Sequence, residues 1–164
     1  MWAATLDFPA CQKVELHVDR AYISAMESSV EFFDHTADMG VRVRAPSLAE
    51  LVPVATKGLY SVIGQIVCGD PLEDVLIHLQ GENPEIVLRD YLARVLLLFE
   101  TKQTQLLNFK RVEFDHRALL VHAESALVDH AHSVYYREVK AVTYHELAIR
   151  ETPDGFEATF IVDI

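Results

Sequence analysis

The fold is decided by the last nine residues of the sequence, Phe156-Glu-Ala-Thr-Phe-Ile-Val-Asp-Ile164. Successive side chains of a strand point to opposite faces, so this run predicts one face made of Phe156, Ala158, Phe160 and Val162. Asp163 falls on the other face, next to the α-carboxylate of Ile164. We therefore expect the end of this strand to present two anionic groups side by side.

Just before this strand lies a strong turn signal, Thr152-Pro-Asp-Gly155. Aspartate, proline and glycine in this order are typical of a tight turn between two strands. The sequence thus predicts a closing hairpin whose first strand spans about Val139–Arg150. A less regular stretch, Asp129–Arg137, leads into it. Four further strands are predicted upstream, over Gly40–Arg44, Val75–Leu79, Asn108–Phe114 and Ala118–Ser125, and Lys13–Val18 could form a short one.

Two helices are predicted between these strands. Ser47, with Glu50 three residues on, has the spacing of a capping box and opens a helix through about Ile63. Pro53 conflicts with it, because a proline deep in a helix removes a hydrogen bond and costs about 3 kcal/mol. Either a kink or a later helix start would resolve the conflict.

The second predicted helix spans about Pro84–Lys102. Asn83 supplies the cap, and Pro84 stands at the first helical position, where its missing N–H costs nothing. Many strands in succession around two helices indicate the α+β class. We expect a single domain with a mostly antiparallel or mixed sheet packed against the two main helices.

Composition and charge exclude several classes. The 164 residues are 51% apolar and 24% charged, which is ordinary for one folded domain. Cys11 and Cys68 are isolated, so neither a disulfide framework nor a zinc-thiolate site is implied. No apolar run is long enough to span a membrane, and residues 1–25 do not resemble a signal peptide. We therefore expect a cytoplasmic protein with no membrane partner.

The formal net charge is −11, from 14 basic and 25 acidic residues. Nucleic-acid binders neutralise phosphates with clustered lysine and arginine, so direct tight binding to RNA is not expected here. An RNA-linked role would pass through a partner protein, and the acidic surface would attract a basic one.

Three motifs carry a family resemblance. Asp34-His-Thr-Ala-Asp-Met-Gly40, Val139-Lys-Ala-Val-Thr-Tyr-His145 and the terminal Asp163-Ile164 resemble, in this order, the archease family. The resemblance covers roughly residues 31–164. It implies an archease-like domain over residues 26–164, preceded by an extension, residues 1–25, to which no role is assigned.

The resemblance implies a metal site formed by Asp38, Asp163 and the Ile164 carboxylate. Oxygen donors of this kind suit the hard cations Ca²⁺, Mg²⁺ and Mn²⁺, and the family resemblance favours calcium. Spacing alone leaves a plainer interpretation open, in which Asp163 is a solvated terminal residue and Asp38 caps a turn.

Four further residues are candidates for orienting the ligands or contacting a partner. Asp34 and His35 could form a histidine poised by a carboxylate, or a packed histidine and a loop cap. Lys140 and His145 could contact a nucleotide phosphate or a partner, and a structural role for His145 stays open. Strand alternation puts Lys140 and His145 on opposite faces, so they could share a pocket only at a bulge.

A metal motif is also conceivable at Asp129, His130 and His132, but partners at zinc-like spacing are missing, so a solvated loop is favoured. The function implied by the resemblance is that of a protein cofactor of an RtcB-type RNA ligase. Such a cofactor promotes guanylylation and turnover of the ligase in tRNA splicing or RNA repair, and is not itself the catalyst. The alternatives are a free-standing metal-dependent hydrolase that uses His35 as acid-base, and a chaperone-like binding module.

Overall fold

The computed structural model describes residues 27–35 and 37–164, so the predicted extension over residues 1–25 lies outside the described residues. Within the described ranges there are two helices and ten strands. In chain order these are β1 (Ser29–His35), β2 (Asp38–Ala45), α1 (Leu48–Ile63), β3 (Gly64–Gln65), β4 (Cys68–Gln80), α2 (Pro84–Lys102), β5 (Thr104–Phe114), β6 (Ala118–Val128), β7 (Val134–Tyr135), β8 (Ala141–Val142), β9 (Ala148–Thr152) and β10 (Gly155–Asp163).

The main sheet has the strand order β1-β2-β10-β8. β9 also belongs to this sheet, and it pairs with β10 on the side where β8 lies. A second sheet has the order β4-β6-β5, and β3 pairs with β7. Every pairing among the described residues is antiparallel. The predicted α+β class with a single domain is confirmed, and the sheets are antiparallel rather than mixed.

The inner face of the main sheet packs against α1. Val41 and Val43 of β2 and Phe160 of β10 are fully buried there. The helix can approach this closely because it presents Gly58 to the sheet, where an added Cβ would lie 3.0 Å from a methyl group of Val41. The predicted apolar face of the last strand is therefore the face that forms the core.

The first helix begins where the cap predicts. The backbone N–H of Glu50 donates to Ser47 Oγ at 3.2 Å, and Ser47 Oγ in turn donates to the Glu50 carboxylate at 3.0 Å. Pro53 lies inside α1, so the alternative of a later helix start is wrong. Its missing N–H leaves the carbonyl of Ala49 without the usual helical donor.

The second helix has the predicted bounds, Pro84–Lys102. Asn83 Oδ1 accepts from the N–H of Ile86 at 2.9 Å, which is the cap that the sequence indicates. Inside the core, the hydroxyls of Tyr91 on this helix and Thr56 on α1 share a hydrogen bond of 2.8 Å. Burial raises the pKa of Tyr91.

The upstream strands are longer than predicted. β4 begins at Cys68, β5 at Thr104, and β6 continues to Val128. The sequence did not predict these additional strand ends because their alternation is irregular. β4 and β5 pair with β6 through register shifts, and these shifts interrupt the period-two pattern of side chains.

The predicted strand over Val139–Arg150 is wrong as a single strand. It is divided into β8 and β9, and residues 143–147 leave the sheet between them. Thr143 Oγ1 accepts from the N–H of His145 at 3.2 Å, and Glu146 has a left-handed backbone with φ of 48°. A side chain that bonds its neighbouring backbone in this way replaces the strand ladder with a turn. The turn over Thr152–Gly155 is confirmed, since these two residues pair directly.

Over the described ranges, neither helix has the length and apolar character needed to cross a membrane.

Candidate metal centre at one end of the main sheet

Three of the predicted site residues form a row across the main sheet. Asp38 on β2 is paired directly with Asp163 on β10, and with His35 on β1. Directly opposed residues of an antiparallel pair share a face and lie about 5 Å apart at Cβ. The row therefore brings the two carboxylates together on the outer face of the sheet, as the sequence motifs predict.

Local geometry explains how the first motif builds this row. β1 ends at His35 and β2 begins at Asp38, so the hairpin connection has only two residues. A connection of this length makes the flanking residues a cross-strand pair. Asp34 is paired with Met39 and belongs to the opposite face from His35. The structure thus does not bring Asp34 to the carboxylate pair.

Lys140 lies beside Asp163 and Ile164. Its backbone N–H donates to the carbonyl of Asp163 at 2.8 Å, and its ammonium donates to the Ile164 oxygen at 3.0 Å. The same Nζ lies 3.8 Å from Oδ1 of Asp163. The Lys140 ammonium thus contacts oxygen atoms of both Asp163 and Ile164.

The next row of the sheet is apolar. The ring of Phe33 covers Gly40, where an added Cβ would collide with it, and Ile161 beside them is fully buried. Asp38 and Asp163 keep 31% and 48% of their side-chain surface exposed. The carboxylates are thus bounded on one side by low-dielectric groups, which strengthen their electrostatic interactions, and stay open to solvent on the other.

The donor chemistry at this point fits a hard divalent cation. Asp38, Asp163 and the Ile164 oxygen offer oxygen atoms only, and their exposure leaves room for water to complete the coordination of a cation such as Ca²⁺. The Lys140 ammonium balances part of their negative charge.

The opposite end of the same face is neutralised by arginine. Arg44 donates to Glu31 at 2.7 Å and to Glu157 at 2.8 Å, and these two hydrogen bonds raise its pKa. Arg42 stacks over Phe33, with 5.3 Å between its guanidinium carbon and the ring centroid. Since Glu31 and Glu157 are paired, the unbalanced negative charge of this face lies at the end that carries Asp38.

His145 reaches the site because the penultimate strand is interrupted. The rings of His35 and His145 meet edge to face with centroids 5.0 Å apart. Strand alternation does not apply to His145, because residues 143–147 form no strand. Glu146 joins them, with Oε1 at 3.6 Å from His35 Nε2 and 3.8 Å from His145 Nε2.

Helix α2 holds the interruption in place. Arg89 Nε donates to the carbonyl of Val142 at 2.9 Å, and its guanidinium lies 4.2 Å from the centroid of the Tyr144 ring. At the far end, the N–H of Ile149 donates to Glu85 Oε1 at 3.4 Å. Glu146 was not predicted as a site residue, because one glutamate after a histidine is an ordinary pattern and its left-handed backbone leaves no signal in the sequence.

Asp129, His130 and His132 do not converge. Asp129 closes a turn by accepting from the N–H groups of Ala131 and His132, and its carboxylate contacts the His132 ring at 2.7 Å. His130 turns away and bonds the Tyr135 hydroxyl at 2.6 Å. The loop interpretation of this stretch agrees with the structure, and the hydrogen bonds from His132 lower the pKa of Asp129.

These features define a class of small α+β protein whose second strand, β2, and last strand, β10, meet in an acidic strand-end cluster. The model of the Archease protein family (MTH1598/TM1083) matches residues 30–164, and the chain belongs to this family.

This chain is similar to curated archease proteins over nearly their whole length. A protein archease of Saccharolobus islandicus is 31% identical over 138 residues, which are 83% of this chain and 99% of the relative. A protein archease of Methanosarcina barkeri is 29% identical over 148 residues, 87% of this chain and 100% of the relative.

Two solved structures share the fold. The solution structure of Methanobacterium thermoautotrophicum protein 1598 superposes with a TM-score of 0.67 at 25% identity, over 82% of this chain and 98% of that one. A crystal structure from Thermotoga maritima, named as an archease and possible chaperone, superposes with a TM-score of 0.58 at 22% identity. The match covers 80% of this chain and 94% of that one. The second likeness is one of fold.

Proposed function

We propose that this protein is a metal-binding cofactor of an RtcB-type RNA ligase in the cytoplasm. It would promote guanylylation of the ligase and its turnover in tRNA splicing or RNA repair, and would not catalyse ligation itself. The observation that carries the proposal is the direct pairing of Asp38 with Asp163, which joins two separate archease-like motifs into one anionic cluster beside the Ile164 carboxylate.

Asp38, Asp163 and the Ile164 carboxylate would hold the divalent ion, with calcium favoured over magnesium and manganese by the family resemblance. A bound cation would supply charge stabilisation for phosphate groups. Lys140, whose ammonium already contacts the Ile164 oxygen, keeps the terminus aligned and offers a positive group to phosphate. The exposure of both aspartates leaves the cluster accessible to a partner.

The charge of the chain supports docking on the ligase rather than on RNA. With 14 basic against 25 acidic residues, the surface repels a phosphate chain and attracts a positively charged, phosphate-binding cleft. We expect no meaningful affinity for RNA without the ligase at near-physiological salt. An anisotropy titration that gave submicromolar affinity for tRNA halves would contradict this and favour an independent RNA-binding role.

The central test is a multiple-turnover ligation assay with an RtcB-type ligase. Asp38→Ala and Asp163→Ala should each abolish stimulation while circular dichroism and thermal melts show an intact fold. Asp34→Ala is the matched control, because it removes a carboxylate from the same hairpin but from the opposite face. Full stimulation by either of the first two variants would remove the metal site from the mechanism.

A chaperone-like binding module is the second candidate. Phe32, Tyr135 and Tyr136 are about half exposed and line an open hollow of about 560 Å³. Exposed apolar groups that cluster in this way can bind unfolded segments. This candidate predicts that the chain suppresses aggregation of a denatured client and that Tyr136→Ser weakens the suppression, while Asp163→Ala leaves it unchanged.

A further inference from the structure

A cluster of two histidines and one glutamate lies next to the carboxylate pair, and its donor atoms differ from those of the pair. His35, His145 and Glu146 each point one donor atom at a common space, and the three donor atoms lie within 4.8 Å of one another. Two imidazole nitrogens and one carboxylate oxygen are the donors that borderline transition ions prefer, whereas calcium prefers oxygen alone. From this group we infer a second metal site, which takes a divalent transition ion of the zinc class.

The distances suit such an ion. A tetrahedral ion bonded at about 2.1 Å to each donor sets neighbouring donors about 3.4 Å apart. Glu146 Oε1 lies 3.6 Å from His35 Nε2 and 3.8 Å from His145 Nε2. These separations exceed hydrogen-bond length and need only small side-chain rotations to reach coordination geometry.

The second nitrogen of His35 supports the assignment. His35 Nδ1 is buried without a hydrogen-bond partner, and it faces Asp38 Oδ2 at 4.0 Å. Histidines that bind metals donate their other ring N–H to a carboxylate, which fixes the ring and raises the basicity of the ligating nitrogen. Asp38 stands where that carboxylate belongs, and the small approach needed to form the bond would satisfy the buried Nδ1.

The three candidate ligands of the second site differ in their exposure to solvent. His35 is 22% exposed, whereas His145 and Glu146 are 62% and 54% exposed at the rim. An ion can therefore enter from solvent, and three protein ligands leave a coordination position open for water or a substrate oxygen. Glu146 has a left-handed backbone with φ of 48°, and its carboxylate lies within 4 Å of both histidine rings.

The two sites have no ligand in common, because Asp38 would bind the ion at the first site and only orient His35 at the second, so they can be separated by mutation. In isothermal titration calorimetry on untagged full-length protein, His145→Ala and Glu146→Gln should each weaken zinc binding by at least about tenfold and leave calcium binding unchanged. Asp163→Asn should do the reverse. Cobalt bound in place of zinc should show the visible bands of nitrogen-ligated Co²⁺, and these bands should be lost in His145→Ala.

His132→Ala is the matched control, because His132 is also an exposed histidine in contact with a carboxylate, that of Asp129. It should bind zinc as the unaltered protein does. The inference fails if His145→Ala keeps the full zinc affinity, or if His132→Ala loses as much. It goes beyond the proposed function and needs no ligase, so a failure of ligase stimulation would leave it standing.

Discussion

Changing Asp38 to asparagine should stabilise the metal-free protein and abolish its stabilisation by calcium. The reason is the cross-strand pairing of Asp38 with Asp163, which places the Cβ atoms of two like-charged side chains about 5 Å apart. At that distance the repulsion in water is about 0.8 kcal/mol, and physiological salt screens it to roughly 0.4 kcal/mol. Asparagine keeps the shape of the side chain and removes the repulsion.

The two conditions should therefore give opposite orders of stability. Without metal, Asp38→Asn should melt about 1–2 °C above the unaltered protein, from about 2–4 °C per kcal/mol for a domain of this size. With calcium at 100 times its dissociation constant, the unaltered protein should gain about 2.7 kcal/mol and become the more stable of the two. Thermal and urea unfolding with chelator and with calcium would measure both.

Asp34→Asn is the control for net charge. It changes the charge by the same amount on the same hairpin, but the side chain belongs to the other face of the sheet. Its response to calcium should match that of the unaltered protein. If Asp38→Asn lowers the metal-free stability, or if it keeps the full calcium response, the carboxylate pair is not a repulsive cluster that a cation relieves.

Three further results are expected. Lys140→Met removes a partly exposed ammonium 3.8 Å from Asp163, so it should lower metal-free stability by less than about 1 kcal/mol and raise calcium affinity several-fold, as calorimetry would show. A tag fused after Ile164 turns its carboxylate into a neutral amide, so it should weaken calcium binding while a tag at the other end does not; equal affinities would exclude Ile164 as a ligand. Tyr91→Phe deletes a buried hydrogen bond to Thr56 and should cost about 1 kcal/mol in urea unfolding, and no loss would mean that the bond contributes nothing.

The helix ends were predictable because their signals are local. Ser47 and Asn83 each bond an N–H three residues away, so the residues that define the cap lie within one turn of sequence. The carboxylate pair was predictable for a different reason. Alternation along the strand assigns Asp163 to the outer face of β10, and the family resemblance implies that Asp38 lies beside it. The contact between these two distant residues was therefore implied by the resemblance and did not have to be worked out from the sequence pattern.

The interruption between β8 and β9 was not predictable in this way. The run from Val139 to Arg150 alternates well enough to be a strand, and its break depends on α2, which precedes it by about fifty residues. Arg89 binds the Val142 carbonyl and stacks on Tyr144, and this competes with the strand ladder. Such a contact between distant elements has no local signature in the sequence, and the positions of His145 and Glu146 follow from it.

The position of β10 would connect metal binding at the proposed site to folding as a whole. β10 lies between β2 on one side and β8 and β9 on the other, so the ligands Asp38 and Asp163 meet only when the two ends of the described chain have paired. An ion bound there cannot be kept in a partly folded chain that lacks this pairing, because each end alone supplies too few donors. The binding free energy of an ion at the proposed site would therefore add to the stability of the complete fold rather than to one hairpin. Repulsion between the carboxylates acts against the same pairing, and the Lys140 ammonium, 3.8 Å from Oδ1 of Asp163, offsets part of that repulsion.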